Sequence, residues 1–562
     1  MKEYVHILGG KTVITTWNWL WDKHDEIKEM FSFFVKPNQE TNQTSLTGGL
    51  KSDLYKSNKN GNNGGPRSYN FAQKLGLILG PLSFILILLL FTPEGLSSEG
   101  RAVLAGTSWI AIWWMTEAIP IPATSLLPII LFPLTNSLDI GATTSAYGSG
   151  TIFLFMGGFM IALTMEKWNL HRRIALSIIS VVGTNTNLII LGFMVSTGFL
   201  SMWISNTATA MMMVPIGLAI IYQVAEALKD RPEIDTSQEN FKFGKALMLG
   251  IAYSASLGGI STLIGTPPNT LLAGAIDATY GIELSFAKWM LFGVPISWTF
   301  ILIAWVYLVK FAYPSGFKEL PGGKEVIGNE KKALGKASYE EKLVFTVFIF
   351  AALAWITRSF LLQKYIPHLD DTMIAIIAAL ILFTIPAKNV PGDRLLDWNT
   401  ALKLPWGILL LFGGGLAIAA GFVESGLSAW LGEQLISLQG VHLLMVLIIV
   451  ATLVIFLTEV TSNTATASMM FPIMAALAVA LDIHPYAVMI VAAVSASCAF
   501  MLPVATPPNA VVFGSGYLRI PDMAKAGFFL NIVGIFLATL AVYYLLPFVW
   551  GIDLNVFPTE LK

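Results

Sequence analysis

The chain has 562 residues, 55% of them hydrophobic and 12% charged, with a formal net charge of −1 at pH 7. Its mean hydropathy is +0.68, whereas a soluble domain carries roughly a quarter of its residues as charged side chains. Such a chain is an all-α polytopic membrane protein, and its charge balance excludes an electrostatic footprint for nucleic acid.

Residues 1–73 are polar, with an amphipathic patch, TTWNWLW, and an Asn/Gly/Ser-rich stretch, KSNKNGNNGGPRSYN, that reads as a linker. A cytoplasmic surface region is expected here. No charged start leads into an apolar core and cleavage site, so no signal peptide is expected. From Leu75 onward, apolar runs of about 20 residues, enough to cross a ~30 Å hydrocarbon core, follow one another. Helices 1 to 4 are predicted near 75–91, 103–118, 122–136 and 150–167. An apolar block at 187–225 carries Ser205-Asn206-Thr207 at its middle and is long enough for two half-crossings. Helices 5 (245–275) and 6 (287–310) precede a lysine-rich loop, 314–342. Helices 7 (343–362), 8 (371–386) and 9 (405–424) lead to a second polar-centred block, 442–481, and helices 10 (485–514) and 11 (525–549) follow.

Counting each polar-centred block as a re-entrant hairpin gives about eleven transmembrane helices plus two hairpins. With the N-terminus cytoplasmic, His171-Arg172-Arg173, loops 229–245 and 314–342, Lys388, Arg394, Lys403, Arg519 and Lys525 then fall inside. The outer loops near 92–101, 137–149 and 425–441 carry Arg101 alone. That is the positive-inside pattern, and it places the C-terminus outside. Reading either block as one full crossing would invert everything after it.

An internal repeat agrees. FMGGFMIA at 155–162 matches FGGGLAIA at 412–419, and SNTATA at 205–210 matches SNTATA at 462–467, both at an offset of 257. GTPPN at 265–269 matches ATPPN at 505–509 at an offset of 240, the charged loop 229–245 absorbing the difference. An odd number of spans per half makes the repeats inverted, an architecture of secondary transporters with the site at the repeat interface.

Backbone at membrane depth survives outside a helix only when buried in protein or lining a wet cavity. Ser-Asn-Thr suits such a hairpin tip because it offers neutral donors and acceptors and a helix start that attracts anions. The paired prolines of Thr-Pro-Pro-Asn are expected to break helices 5 and 10. Ser201 lies four residues before Ser205, and Thr458 four before Ser462, which places hydroxyls together on one helical face. Adding an asparagine oxygen and a carbonyl from the facing break gives an uncharged, all-oxygen cage suited to Na⁺ rather than a transition metal. The six scattered histidines and the single Cys498 offer no metal spacing or disulfide. A lone Ser/Thr cluster in a membrane helix ordinarily serves packing, but four polar breaks in two matched pairs exceed that role. Glu459, whose counterpart is Met202, reads equally as a structural partner and as a site residue; the Met runs 211–213 and 469–470 read as packing.

SNTAT twice, each followed by a proline and later by TPPN, resembles the divalent anion:sodium symporter family over about residues 75–550. The resemblance implies an elevator-type homodimer in the inner membrane. It implies scaffold helices 1–4 (74–174) and 7–9 (343–441), transport-domain segments 175–313 and 442–562, and a cytoplasmic linker, 314–342. It places one sodium on Ser201, Ser205, Asn206 and the Gly265 carbonyl, and a second on Thr458, Thr461, Asn463 and the Ala505 carbonyl. The substrate carboxylates would meet Asn206, Thr207, Asn463 and Thr464, with Thr266-Pro267 and Thr506-Pro507 close by. The expected function is Na⁺-coupled symport of C4-dicarboxylates such as succinate, malate and fumarate, with no enzymatic activity. Citrate or sulfate as cargo and sodium-independent exchange remain open, as does passive anion conduction. An intramembrane hydrolase would need a base, and neither hairpin nor break contains His, Lys or paired Asp.

Overall fold

The computed structural model describes residues 70–181, 185–229, 233–317, 323–436 and 440–561. The polar region expected at 1–73 therefore lies almost wholly outside the described residues. Within them the chain is helical, with no named strand, and an isolated bridge joins Pro386 to Arg394. Seven helices are long and apolar enough to cross a membrane, and five shorter apolar ones accompany them.

Helix α1 (Phe71–Leu90) begins on a capping box in which Asn70 and Gln73 satisfy each other's backbone N–H groups, and it packs on α2 (Ser98–Thr116). Predicted helix 3 is two short pieces, Ile121–Thr124 and Leu127–Leu134. Pro128 lacks the N–H that would continue the first piece into the second, and Ser125 at the joint bonds Trp114 and Ile121 instead. Helix α3 (Gly150–Lys167) is followed by α4 (Leu170–Val181), α5 (Thr186–Ser201) and α6 (Asn206–Ala227). Next come α7 (Lys242–Gly259), α8 (Pro267–Tyr280) and α9 (Phe286–Val306), the last running on as π-helical turns over Tyr307–Ala312. Two basic segments taken as loop in the sequence are helical. One is α4, which carries His171-Arg172-Arg173. The other is α10 (Gly323–Ala333), inside the predicted linker and tied to α4 by an Arg172–Glu330 ion pair. Both are amphipathic, with charges on one face, which explains why they read as loops by hydropathy alone.

The second half runs through α11 (Tyr339–Thr357), α12 (Asp371–Thr384), α13 (Trp406–Glu424), α14 (Leu427–Leu435), α15 (Leu443–Thr458) and α16 (Asn463–Leu481). It closes with α17 (Pro485–Ala496), α18 (Pro507–Phe513) and α19 (Ile520–Leu540). Starts of α4, α5 and α6 recur in α14, α15 and α16 at the offset of 257 seen in the sequence. Each predicted hairpin block is two helices joined by a short polar turn, although α6 and α16 are each long and apolar enough to cross alone. Pro215 and Pro472 lie inside these second limbs rather than at their ends.

Predicted helices 5 and 10 are each two pieces, and the second piece of each packs into the other half of the chain. Helix α8 contacts α13, α16 and α17, while α18 contacts α6 and α7. Within the first half, close approach depends on glycine. A Cβ on Gly258 would stand 2.2 Å from the Gly198 carbonyl oxygen of α5, so α5 and α7 meet backbone to backbone.

Candidate functional site

The four polar motifs are four helix starts. Ser205 is the N-cap of α6 and its Oγ accepts from the Ala208 N–H at 3.2 Å; Ser462 is the N-cap of α16. Thr266 and Thr506 are the N-caps of α8 and α18, with Pro267 and Pro507 in the first helical position. Proline is favoured there, because its missing N–H is one a helix start leaves unpaired anyway. The paired prolines therefore open the second helical piece, and each predicted helix is broken immediately before them, as expected from their restriction of the preceding residue. Segments 260–266 and 497–506 are the breaks themselves.

Each break is held by the asparagine that closes its motif. Asn269 is fully buried, and its Nδ2 donates to the carbonyls of Thr262 (2.8 Å), Ile260 (3.1 Å) and Gly259 (3.3 Å). Asn509 does the same to Leu502 (3.0 Å) and Ala499 (3.1 Å). These carbonyls have lost their helical partners at the break, so one amide replaces several backbone bonds. Sequence reasoning passed over both asparagines; their shared fourth place in TPPN was the available signal.

Around Asn206 the polar atoms are nearly all oxygens. Ser201 Oγ donates to the Ala255 carbonyl at 2.6 Å and to Asn206 Oδ1 at 2.5 Å. With its amide rotated, Asn206 donates to Ala255 O (3.0 Å), Ser201 Oγ (2.5 Å) and Gly265 O (3.2 Å). Thus one position faces a hydroxyl and two carbonyls. An amide nitrogen satisfies them, or the amide oxygen joins them as ligands of a small hard cation. Gly259 permits this closeness, since a Cβ there would lie 2.8 Å from Asn206 Oδ1 and 2.9 Å from Gly265 O. The second repeat builds part of the same arrangement: the Thr458 hydroxyl lies 2.7 Å from Asn463 Oδ1 and 3.2 Å from the Ala496 carbonyl, while Ala505, the counterpart of Gly265, borders the cavity.

Thus Ser201, Asn206 and Gly265 come together, as do Thr458 and Asn463, and the Ala255 and Ala496 carbonyls join them unforeseen. Ser205 spends its hydroxyl on the helix cap. Thr461 turns to its own helix, bonding the Leu457 carbonyl at 2.8 Å and Thr466 Oγ1 at 2.5 Å.

Glu459 is a structural partner of the second break. Its buried carboxylate accepts from the backbone N–H groups of Phe500 (2.7 Å), Met501 (2.9 Å) and Leu502 (3.1 Å), and from Asn531 Nδ2 at 2.7 Å. In the first repeat the equivalent place is filled by the Met202 carbonyl, which accepts from Thr262 Oγ1.

All four helix starts border one cavity of about 740 Å³. Asn206, Thr207, Thr266, Pro267, Asn463, Thr464, Thr506 and Pro507 line it, together with Ser205, Gly265, Thr461 and Ala505. Ser201 and Thr458 lie fully buried behind that wall. Trp114, Phe155, Phe159, Pro405 and Leu411 close the opposite side, and among the described residues Glu117 is the only formally charged one lining the cavity. Among the described residues no cluster of His, Cys, Asp or Glu is placed to hold a metal ion. Neutral hydroxyls and amides, and helix starts each carrying about half a positive charge, give the wall the chemistry that suits an anion, while the oxygens behind it have the chemistry that suits a small hard cation.

Residues 72–551 match the family described as sodium:sulfate symporter transmembrane region. A protein named sodium-dependent dicarboxylate transporter SdcS from Staphylococcus saprophyticus is 51% identical over 513 residues, covering 91% of this chain and 97% of its own. The protein of the same name from Staphylococcus aureus (strain bovine RF122 / ET3-1) is 52% identical over 500 residues, covering 88% and 95%. Among solved structures, the Alcanivorax borkumensis YdaH transporter shares the fold, with a TM-score of 0.52 at 14% identity over 72% of this chain and 86% of that one. The match over nearly all the described residues and the doubled oxygen sets behind one neutral cavity agree: the chain belongs to the sodium:sulfate symporter family, the divalent anion:sodium symporters.

Proposed function

We propose that the protein is a Na⁺-coupled symporter that carries C4-dicarboxylates such as succinate, malate and fumarate across the cell inner membrane. The observation that carries this reading is the oxygen set around Asn206, repeated around Asn463, on the wall of a cavity ringed by helix starts. The relatives' name, sodium-dependent dicarboxylate transporter, supports both the ion and the cargo class. Asn206 and Asn463 each serve a cation with the amide oxygen and a substrate carboxylate from the cavity side, with Thr207, Thr464, Thr266 and Thr506 beside them. Two inverted halves, with α1–α3 and α11–α13 as scaffold and the hairpins with α7–α9 and α17–α19 as the moving part, work as an elevator in a homodimer. The N-terminus is cytoplasmic and the C-terminus outside.

The charge balance gives the test. Among the described residues no Lys or Arg lines the cavity, and an uncompensated charge at membrane depth costs several kcal/mol. Bound sodium must therefore do much of the neutralising. Succinate affinity of the purified protein, measured in sodium and in choline buffer, is expected to fall about ten-fold or more without sodium. By reciprocity, succinate tightens sodium by the same factor. Tight succinate binding in choline overturns the coupling. Counterflow against a panel including citrate and sulfate fixes the cargo.

A further inference from the structure

Where α9 leaves α geometry, Tyr307 stacks on Phe529 of α19 with ring centroids 4.2 Å apart. Beside the stack, Leu302, Ile303, Val306 and Phe311 complete an apolar groove of about 510 Å³ that shares no residue with the central cavity. It faces outward, for Phe311 is 73% exposed. The Tyr313 hydroxyl donates to the Asp522 carbonyl at 2.9 Å, so the end of α9 lies beside the start of α19. Toward that end each helix carries an exposed lysine one turn from a groove residue, though neither is part of the groove's own lining. Lys310 is one turn beyond Val306 in the π segment, and Lys525 precedes Phe529 by four residues, one α-turn away on the same face. Both are exposed, and among the described residues neither has an ion pair or hydrogen bond. The neighbouring Lys245 and Arg519, by contrast, are both taken up by Asp522.

The geometry points to a bound anionic phospholipid, with one acyl chain in the groove between α9 and α19 and its phosphate on Lys310 and Lys525. A groove gathers dispersion contacts around a chain that a flat helix face cannot. A π-helical stretch is a frequent mark of a functional place in a helix. Free phosphate would leave the apolar lining unused, and a zwitterionic lipid carries no net charge for the lysines. The same charges count toward the cytoplasmic side, the leaflet whose anionic lipids attract basic residues. The inference needs only that the chain spans a bilayer and is independent of the transported anion.

Native mass spectrometry of the full-length protein in detergent tests it, with phosphatidylglycerol, phosphatidylcholine or glycerol 3-phosphate as the probe. Wild type is expected to retain phosphatidylglycerol over phosphatidylcholine by about ten- to thirty-fold, from roughly five-fold per lysine. Lys310→Gln with Lys525→Gln should remove that preference and keep phosphatidylcholine binding, and the paired Arg variants should restore it. Ile303→Trp, which fills the groove, should weaken both lipids. Melting curves matching wild type certify each fold. An unchanged preference in the double Gln variant overturns the proposal, as does competition by glycerol 3-phosphate. So does an Ile303→Trp variant that alters oligomeric state and leaves lipid binding intact, which would mark a face between copies of the chain.

Discussion

Ser201 and Thr458 are completely buried, and each gives its hydroxyl to an asparagine oxygen and to a carbonyl of a neighbouring helix. Neither lines the cavity. Ser201→Ala and Thr458→Ala should therefore raise the half-saturating sodium concentration by about five- to ten-fold, on the scale of one lost polar interaction. Succinate affinity at saturating sodium should barely move. Flux measurements in proteoliposomes check this, and equal shifts for both ligands would contradict the assignment. Asn206→Ala or Asn463→Ala removes an amide that we propose serves cation and carboxylate together, so transport should disappear while the protein stays folded. Glu459 differs in kind. Glu459→Ala leaves three buried N–H groups unpaired, at a cost of about 1–3 kcal/mol each, and should lower the melting temperature clearly more than Glu459→Gln, which keeps an acceptor. The asparagines were legible in the sequence because they recur in register. Glu459 was not, because its partners, Phe500 to Leu502, are some forty residues away and only the fold brings them near.

The helical hairpins and the polar segments were also readable at the level of elements, since each depends on local pattern. Three features were not. The break at TPPN was expected, but that its prolines start the next helical piece rests on the N-cap geometry of Thr266 and Thr506. Helices α4 and α10 escaped because surface amphipathic helices carry the charge expected of loops. The breaks needed Asn269 and Asn509, whose value shows only once orphaned carbonyls converge on them. Gly259 tests the first break directly. Gly259→Ala places a methyl 2.8 Å from Asn206 Oδ1 and 2.9 Å from the Gly265 carbonyl oxygen. It should weaken sodium binding more than Ser201→Ala does, because the whole oxygen set must spread rather than lose one member. Sodium titrations of the two variants decide it, and an unperturbed Gly259→Ala protein would show that the set is not used.

At the level of the molecule, α8 and α18 each reach into the opposite half, so the cavity wall is one interlocked unit facing α3 and α13. Gly158 on α3 lies against Ile264 of the first break: a Cβ on Gly158 would be 3.5 Å from the Ile264 Cβ, within disulfide reach. In a Cys498→Ser background, oxidised Gly158→Cys/Ile264→Cys should stop transport, and reductant should restore it, if the hairpin unit slides past the scaffold. Full transport by verified cross-linked protein would favour small local gates instead.

The neutral wall has a consequence for acidity. Because Glu117 is, among the described residues, the only titratable group lining the cavity, acidification is expected to act on the cargo rather than on the wall that receives it. Uptake plotted against pH should then trace the doubly ionised fraction of each dicarboxylate, and the curves for two acids should be displaced by the difference in their second ionisation. Glu117→Gln should leave those displacements in place. Superimposed curves for acids of different strength would reveal a titrating protein group. A binding site whose described wall holds a single ionisable side chain thus lets the medium choose which form of a metabolite is carried.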